Sequence, residues 1–157
     1  MQTTVNKEIR EIKASSQRVG VKKNTNEVRN FHFLIDEPVK LGGTNKAPTP
    51  MEFVLGSFNG CILIVIETIA KEIGFPFNDL KSESVGTVDR RGIQGTADVS
   101  PHFGSVTNTI WFDTTESEER IQALQELVKK RCPVYNLFRD TGIPIQLNWH
   151  KESEVEK

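Results

Sequence analysis

Two side chains in this chain of 157 residues are suited to covalent or redox chemistry, the thiols of Cys61 and Cys132. A thiolate is a nucleophile, a soft metal ligand and a two-electron reductant, and which of these it becomes depends on its pKa and its access. Cys61 opens the longest unbroken apolar run, Cys61 to Ile66. A cysteine in such a run is a small core hydrophobe unless something supplies positive charge. Cys132 precedes Pro133, and proline suits the first position of a helix, so Cys132 reads as an N-cap. A thiolate there meets unpaired N–H groups and the positive helix end, with Lys129, Lys130 and Arg131 just before it. On local grounds Cys132 is the better activated thiol, and the plainer alternative is a cysteine filling a tight turn.

Other chemistries find little support. His32, His102 and His150 have no metal-ligand spacing to each other or to the cysteines, and no Cys-x-x-Cys pair occurs, so neither a metal nor another cofactor is expected. No Gly-x-Ser-x-Gly elbow is present, and no Gly-Lys-Ser/Thr follows Gly42 and Gly43. Twenty basic residues meet twenty-one acidic ones, a net charge of −1, so no global field draws the chain to nucleic acid or to an anionic membrane. The N-terminus lacks a signal-peptide core, and the run from Cys61 to Ile66 is too short to span a bilayer. The expected compartment is the cytoplasm, where structural disulfides are rare.

The elements that must hold these thiols read as one α+β domain over 1–150 with a charged, disordered tail over 151–157. Val28 to Ile35 alternates as a strand, with Phe31, Phe33 and Ile35 on one face. Asp36 to Pro50 is a loop rich in proline and glycine. A central helix is expected from Pro50 to Ile73, stopped by Gly74, buried on every side between Cys61 and Ile66, and open to close approach by another backbone at Gly56 and Gly60. Strands follow at Ser84 to Val88 and Thr96 to Val99, joined as a hairpin by the turn Asp89 to Gly92, and then at Thr107 to Phe112. A second helix is expected from Glu116 to Arg131 with Thr115 and Glu118 as its capping box and Ile121, Leu124 and Val128 as its apolar stripe. A short helix begins at Cys132 and Pro133, and Ile143 to Trp149 closes the fold as a strand.

Three segments together resemble the OsmC/Ohr family of cysteine-dependent hydroperoxide reductases. They are Asp36 to Gly43 leading through Pro48 to Pro50, then Pro50 to Cys61 with its eleven-residue step from proline to cysteine, and Arg131 to Asn136 with its Cys-Pro pair. In order, they cover the chain from about 30 to 149. The resemblance implies an OsmC-like fold, with strongly bent antiparallel sheets wrapped around a long central helix in an intertwined homodimer. It implies that Cys61 is the peroxidatic thiol, attacking an organic hydroperoxide to leave a sulfenic acid, and that Cys132 resolves it to a disulfide which a dithiol or other thiol reduces. It also implies an arginine beside Cys61. Arg18 stands at the expected place before Leu41, with Arg29 as the second candidate.

One position departs from the family pattern. Peroxidase members carry a glutamate directly after the helix-starting proline, whereas this chain has Met51 there and Glu52 one residue later. At about 100° per residue, position 51 lies about 80° from Cys61 around a helix and position 52 about 180° away. The resemblance implies a thiol peroxidase with Cys61, Cys132, Arg18 and, where the first turn of the helix is frayed, Glu52 as its site. Phe31, Phe33, Phe53 and Phe58 are the candidate lining of an apolar pocket, with core packing the plainer reading for at least half of them. The other readings are a non-catalytic OsmC-like protein that binds an apolar small molecule, and a redox sensor reporting through a Cys61–Cys132 disulfide.

Overall fold

The structure is a computed structural model and describes residues 8–152. The chain forms two compact units, one up to Phe53 and one from Val54 onward.

In the first unit, β1 (Ser15–Gly20), β2 (Lys23–Val28) and β3 (Phe31–Ile35) form an antiparallel sheet in the order β1-β2-β3. Tight turns join the strands, with Lys22 and Arg29 at positive φ of 51° and 59°. Phe31 lies under the guanidinium of Arg29, 4.8 Å from the ring centre. Beyond β3 the chain is organised around the buried carboxylate of Asp36. Its Oδ1 accepts from the N–H groups of Glu37 and Thr44, at 2.8 and 3.1 Å, and its Oδ2 accepts from the Thr44 hydroxyl and the Lys46 N–H, at 2.5 and 3.0 Å. Burial alone would push this carboxyl up, but the Thr44 hydroxyl and the N–H groups of Lys46, Thr44 and Glu37 outweigh burial and hold it well below the usual carboxylate range. Gly43 has no room for a side chain, since a Cβ there would lie 1.9 Å from the Glu37 carbonyl oxygen. The loop ends at Thr49, and α1 runs from Pro50 to Ile73, the bounds expected from Pro50 and Gly74. Gly74 takes φ +63°, the left-handed stop the sequence implies.

The second unit carries α1 onward, β4 (Asp79–Val88), β5 (Phe103–Asp113), α3 (Glu118–Arg131), α4 (Pro133–Asp140) and β6 (Ile145–Lys151), with a five-residue helix α2 (Arg90–Gln94) between β4 and β5. The sheet order is β4-β5-β6. The β4–β5 pair is antiparallel, but β6 runs parallel to β5, against the expectation of wholly antiparallel sheets. The reason lies in the connection, because α3 and α4 form a crossover long enough to return the chain in the same direction. Phe58, Ile62, Ile66 and Ile69 of α1, Val106, Ile110 and Phe112 of β5, and Ile121, Leu124 and Val128 of α3 are the buried core.

Several expectations are corrected here. Thr96 to Val99 is not a strand, and Asp89 starts α2 rather than a hairpin turn; its side chain caps the Arg91 N–H at 3.0 Å, and Gly95 at φ +68° ends the helix. The N-cap of α3 is Ser117, which accepts from the Arg120 N–H at 3.3 Å, and not Thr115. Within the single chain α1 from Cys61 to Ile66 is buried on one face, with Ile64 66% exposed and open space where Cβ atoms would stand at Gly56 and Gly60. Lys151 still belongs to β6, and the Glu152 N–H donates to the Phe112 carbonyl at 2.7 Å; the remainder of the expected tail lies outside the described residues. By length and composition α1 could cross a bilayer, in contrast to the short run read from the sequence. Its inner face is nevertheless the core of the second unit.

Candidate active site

Cys61 sits on α1 one turn after Phe58, half-buried beside the fully buried Ile62. Cys132 occupies the single residue between α3 and α4 and is fully buried. Its backbone is held from both sides. The Cys132 N–H donates to the Val128 carbonyl at 2.8 Å, closing α3, and its own carbonyl accepts from the Asn136 N–H at 3.1 Å and the Asn136 side-chain amide at 2.7 Å, opening α4. The same amide donates to the Lys129 carbonyl at 3.0 Å, so Asn136 ties the helix junction together. With the junction fixed, the Cys132 thiol donates to the Cys61 sulfur across 3.7 Å. Both thiols are free.

The N-cap position expected for Cys132 is found, but the activation inferred from it is overturned. Burial pushes this thiol up to about 11, and the neighbouring Cys61 adds to the rise. The N–H groups of Tyr135 and Val134 at the head of α4 pull the other way without making a full cap hydrogen bond. Desolvation wins because the whole side chain is enclosed, a tertiary fact that a Cys-Pro dipeptide does not carry. Two of the nearby cations are committed elsewhere, Arg131 to both carboxylate oxygens of Glu72 and Lys129 to Glu126, and Lys130 is exposed.

Close to Cys61 in sequence, Asn59 reaches to the sheet. Its Oδ1 accepts from the hydroxyls of Ser82 and Ser84, at 3.0 and 2.6 Å, and from the amide of Asn108 at 3.2 Å. Asn108 is fully buried, and its amide also donates to Ser82 and Ser84 at 2.8 and 2.9 Å, while its Oδ1 has no partner. This polar bridge joins α1 to β4 and β5 in the turn that presents Cys61. Its signal in the sequence is Asn108, the one amide among the inward positions Val106, Ile110 and Phe112.

The remaining expected site residues belong to the first unit or to its end of α1. Arg18 stands in β1, exposed, opposite Asn24. Glu52 is committed to the head of α1, where its Oε2 accepts from the Thr49 N–H at 2.7 Å and its own N–H donates to the Thr49 hydroxyl at 3.3 Å. That is a complete capping box, so Glu52 has a structural task. Of the four phenylalanines expected to line a pocket, Phe58 is core, packed edge-on against Phe138 at 5.3 Å. Phe33 and Phe53 pack together at 5.2 Å, and Phe31 is 55% exposed. Among the described residues no group of three or more His, Cys, Asp or Glu side chains gathers where a metal ion would sit.

Comparison with known proteins places this geometry. The solved structure of an OsmC like protein from Mycoplasma pneumoniae is similar to this chain with a TM-score of 0.76 at 17% identity, over 91% of this chain and 96% of that one. An organic hydroperoxide resistance protein OsmC from Legionella pneumophila gives 0.71 at 17% identity, over 94% and 100%. The organic hydroperoxide resistance protein OhrB of Bacillus subtilis gives 0.61 at 16% identity, over 90% and 98%. Curated protein sequences give no match. At these identities the solved structures establish a shared fold. The sequence pattern of the family described as OsmC-like protein matches residues 43–148, a span that holds both cysteines, Asn59, Asn108 and the whole of α1. By that match, and by the central helix and two small sheets it accompanies, the chain belongs to the OsmC-like protein family.

Proposed function

We propose that the protein is a thiol-dependent reductase of organic hydroperoxides that works as a cytoplasmic homodimer through Cys61 and Cys132. The observation that carries this reading is the approach of the two sulfurs to 3.7 Å, with one thiol half-buried and the other enclosed behind it. A disulfide needs about 2.05 Å, so a shift of roughly 1.7 Å shared between two side chains would complete the bond.

In the proposed cycle the Cys61 thiolate attacks the distal oxygen of the hydroperoxide. The O–O bond breaks, the alkoxide takes a proton and leaves as an alcohol, and Cys61 becomes a sulfenic acid. The Cys132 sulfur then attacks that sulfur, water leaves, and the disulfide forms. An external dithiol returns both cysteines to thiols through a mixed disulfide and is itself oxidised. Arg18 is proposed to stand by the Cys61 thiolate and favour its ionisation. Glu52 is proposed as the carboxylate that orients Arg18, a role in which it must leave its capping box with Thr49. The homodimer is supported by the open face of α1, where Gly56, Gly60 and the exposed Ile64 would admit a second copy.

The capping box, together with Met51 at the position where peroxidase members carry glutamate, favours one second reading. In it the protein is either a redox sensor, whose pair forms a disulfide with peroxide without efficient turnover, or a binder of an apolar small molecule, whose cysteines are structural and react slowly. One equivalent of cumene hydroperoxide, with the protein followed by mass, separates the reductase and the sensor from the small-molecule binder, and sustained consumption with a dithiol present then separates the reductase from the sensor. The proposed reductase loses two hydrogens at once, forms no disulfide as Cys61→Ser, and as Cys132→Ser accumulates a sulfenic acid that a dione probe traps. Unmodified thiols in the wild type after such exposure would exclude the reductase.

A further inference from the structure

We propose that Cys132 acts before any disulfide forms, as a positioning residue whose thiol proton hydrogen-bonds the Cys61 sulfur and holds Cys61 as the thiolate. The inference deepens the two-thiol reading above, resting on Cys61 as the reacting group but not on peroxide as its substrate.

The geometry has three parts. The direction of the contact is from Cys132 to Cys61 across 3.7 Å. The donor cannot swing away, because its backbone N–H and carbonyl are bound to Val128 and Asn136, and its side chain is fully enclosed. Water has no access to replace the bond on the Cys132 side, so the thiol proton has Cys61 as its acceptor. A hydrogen bond to the charged form of an acid favours that form, and a thiol is a weak donor whose effect grows in an enclosed site. Burial keeps Cys132 protonated through neutral pH, since its own ionisation is pushed up to about 11. Cys132 is therefore the member of the pair that keeps its proton, available to stabilise a charged neighbour.

Other charges of the second unit do not compete for this role. Arg131, beside Cys132, is bound to Glu72, and Lys129 to Glu126. Tyr135 presents its N–H to Cys132. Lys130 is exposed, as are Glu67 and Lys71 on α1, the latter two being about 120° and 80° around the helix from Cys61. Arg18, proposed for the same thiolate, acts in the same direction and stays constant in every variant below.

The test is the pH profile of Cys61 alkylation by iodoacetamide, read by mass on the folded protein, for wild type, Cys132→Ala and Cys132→Ser. Serine keeps a proton donor at the same backbone position and alanine removes it. The expected result is that Cys132→Ala raises the midpoint by about one pH unit, making Cys61 roughly tenfold slower at neutral pH, and that Cys132→Ser recovers a large part of the loss. Identical midpoints in all three proteins, or equal shifts in alanine and serine, overturn the proposal. Wild type alone gives a second reading that does not depend on a variant folding. Cys61 should be alkylated first and Cys132 only after it, and the reverse order overturns the proposal. Neither measurement involves peroxide, so an absent peroxidase activity leaves both readable.

Discussion

Asn59→Ala should loosen the helix that carries Cys61. The Asn59 Oδ1 accepts three hydrogen bonds, from Ser82, Ser84 and Asn108, at 3.0, 2.6 and 3.2 Å. Alanine deletes the shared acceptor and leaves two hydroxyls and one amide to find other partners. The Asn108 amide keeps Ser82 and Ser84, at 2.8 and 2.9 Å, so it is not wholly stranded. The hydroxyls can turn toward each other or admit a water. A typical hydrogen bond contributes about 1 kcal/mol net, and a buried group left unmet costs about 1–3 kcal/mol, which places the loss at roughly 2–3 kcal/mol. For a chain of this size that lowers Tm by about 5–10 °C. Urea unfolding should give a lower midpoint with an unchanged slope. A loss below about 0.5 kcal/mol would refute the claim that this bridge fixes α1 to the sheet. Asn108→Leu offers the companion test. It removes the unpartnered Oδ1 together with the amide, so its cost should be smaller than the hydrogen-bond count suggests.

Three further outcomes follow from other parts of the molecule. The Asp36 carboxyl is held below its ordinary value, so its contribution to stability is present above the unfolded value of about 3.9 and is lost as pH falls through the folded value. Asp36→Asn should flatten the stability profile on the acid side of about pH 4 in a denaturant series, and an unchanged profile would contradict the loop account. Gly43→Ala should disorder the loop or destabilise the fold by about 2 kcal/mol or more, because the added Cβ would stand 1.9 Å from the Glu37 carbonyl; an unaltered melting temperature would mean the loop relaxes freely. Ile64→Glu, on the open face of α1, should shift the proposed dimer to monomer in light scattering, and a dimer that survives it is not built on that face.

How much of this was legible varies by element, for physical reasons. The bounds of α1 were readable because Pro50 and Gly74 act locally, through φ and a left-handed stop. The strand character of the first third was readable too, but not the bounds of β1 and β2, since Ser15–Gly20 and Lys23–Val28 are mostly polar and bury little; β2 has one buried residue, Asn26, and it is an amide. The start of β4 at Asp79 was missed for a related reason, because its inward positions include Ser82 and Ser84 where an apolar alternation was sought. Asp89 suits the start of a turn and the cap of a helix alike, so the sequence does not distinguish α2 from a turn. The parallel course of β6 depends on a crossover, which no short window reveals. At the site, local chemistry ranked Cys132 as the activated thiol and was wrong, because burial at the junction of α3 and α4 outweighs the cap. The family resemblance implies that Cys61 and Cys132 share a site, and their sulfurs stand 3.7 Å apart. Glu52 shows the opposite limit. Thr49 and Glu52 have the spacing of a capping box, and that local role is the one the structure displays.

The most direct test of the proposed function is steady-state consumption of cumene hydroperoxide with a dithiol reductant, measured for wild type, Cys61→Ser and Cys132→Ser. The account predicts sustained turnover in the wild type, none in Cys61→Ser, and a single slow or stalled cycle in Cys132→Ser. Turnover undiminished in Cys61→Ser, or absent from wild-type protein whose thiols are intact by mass, would contradict it.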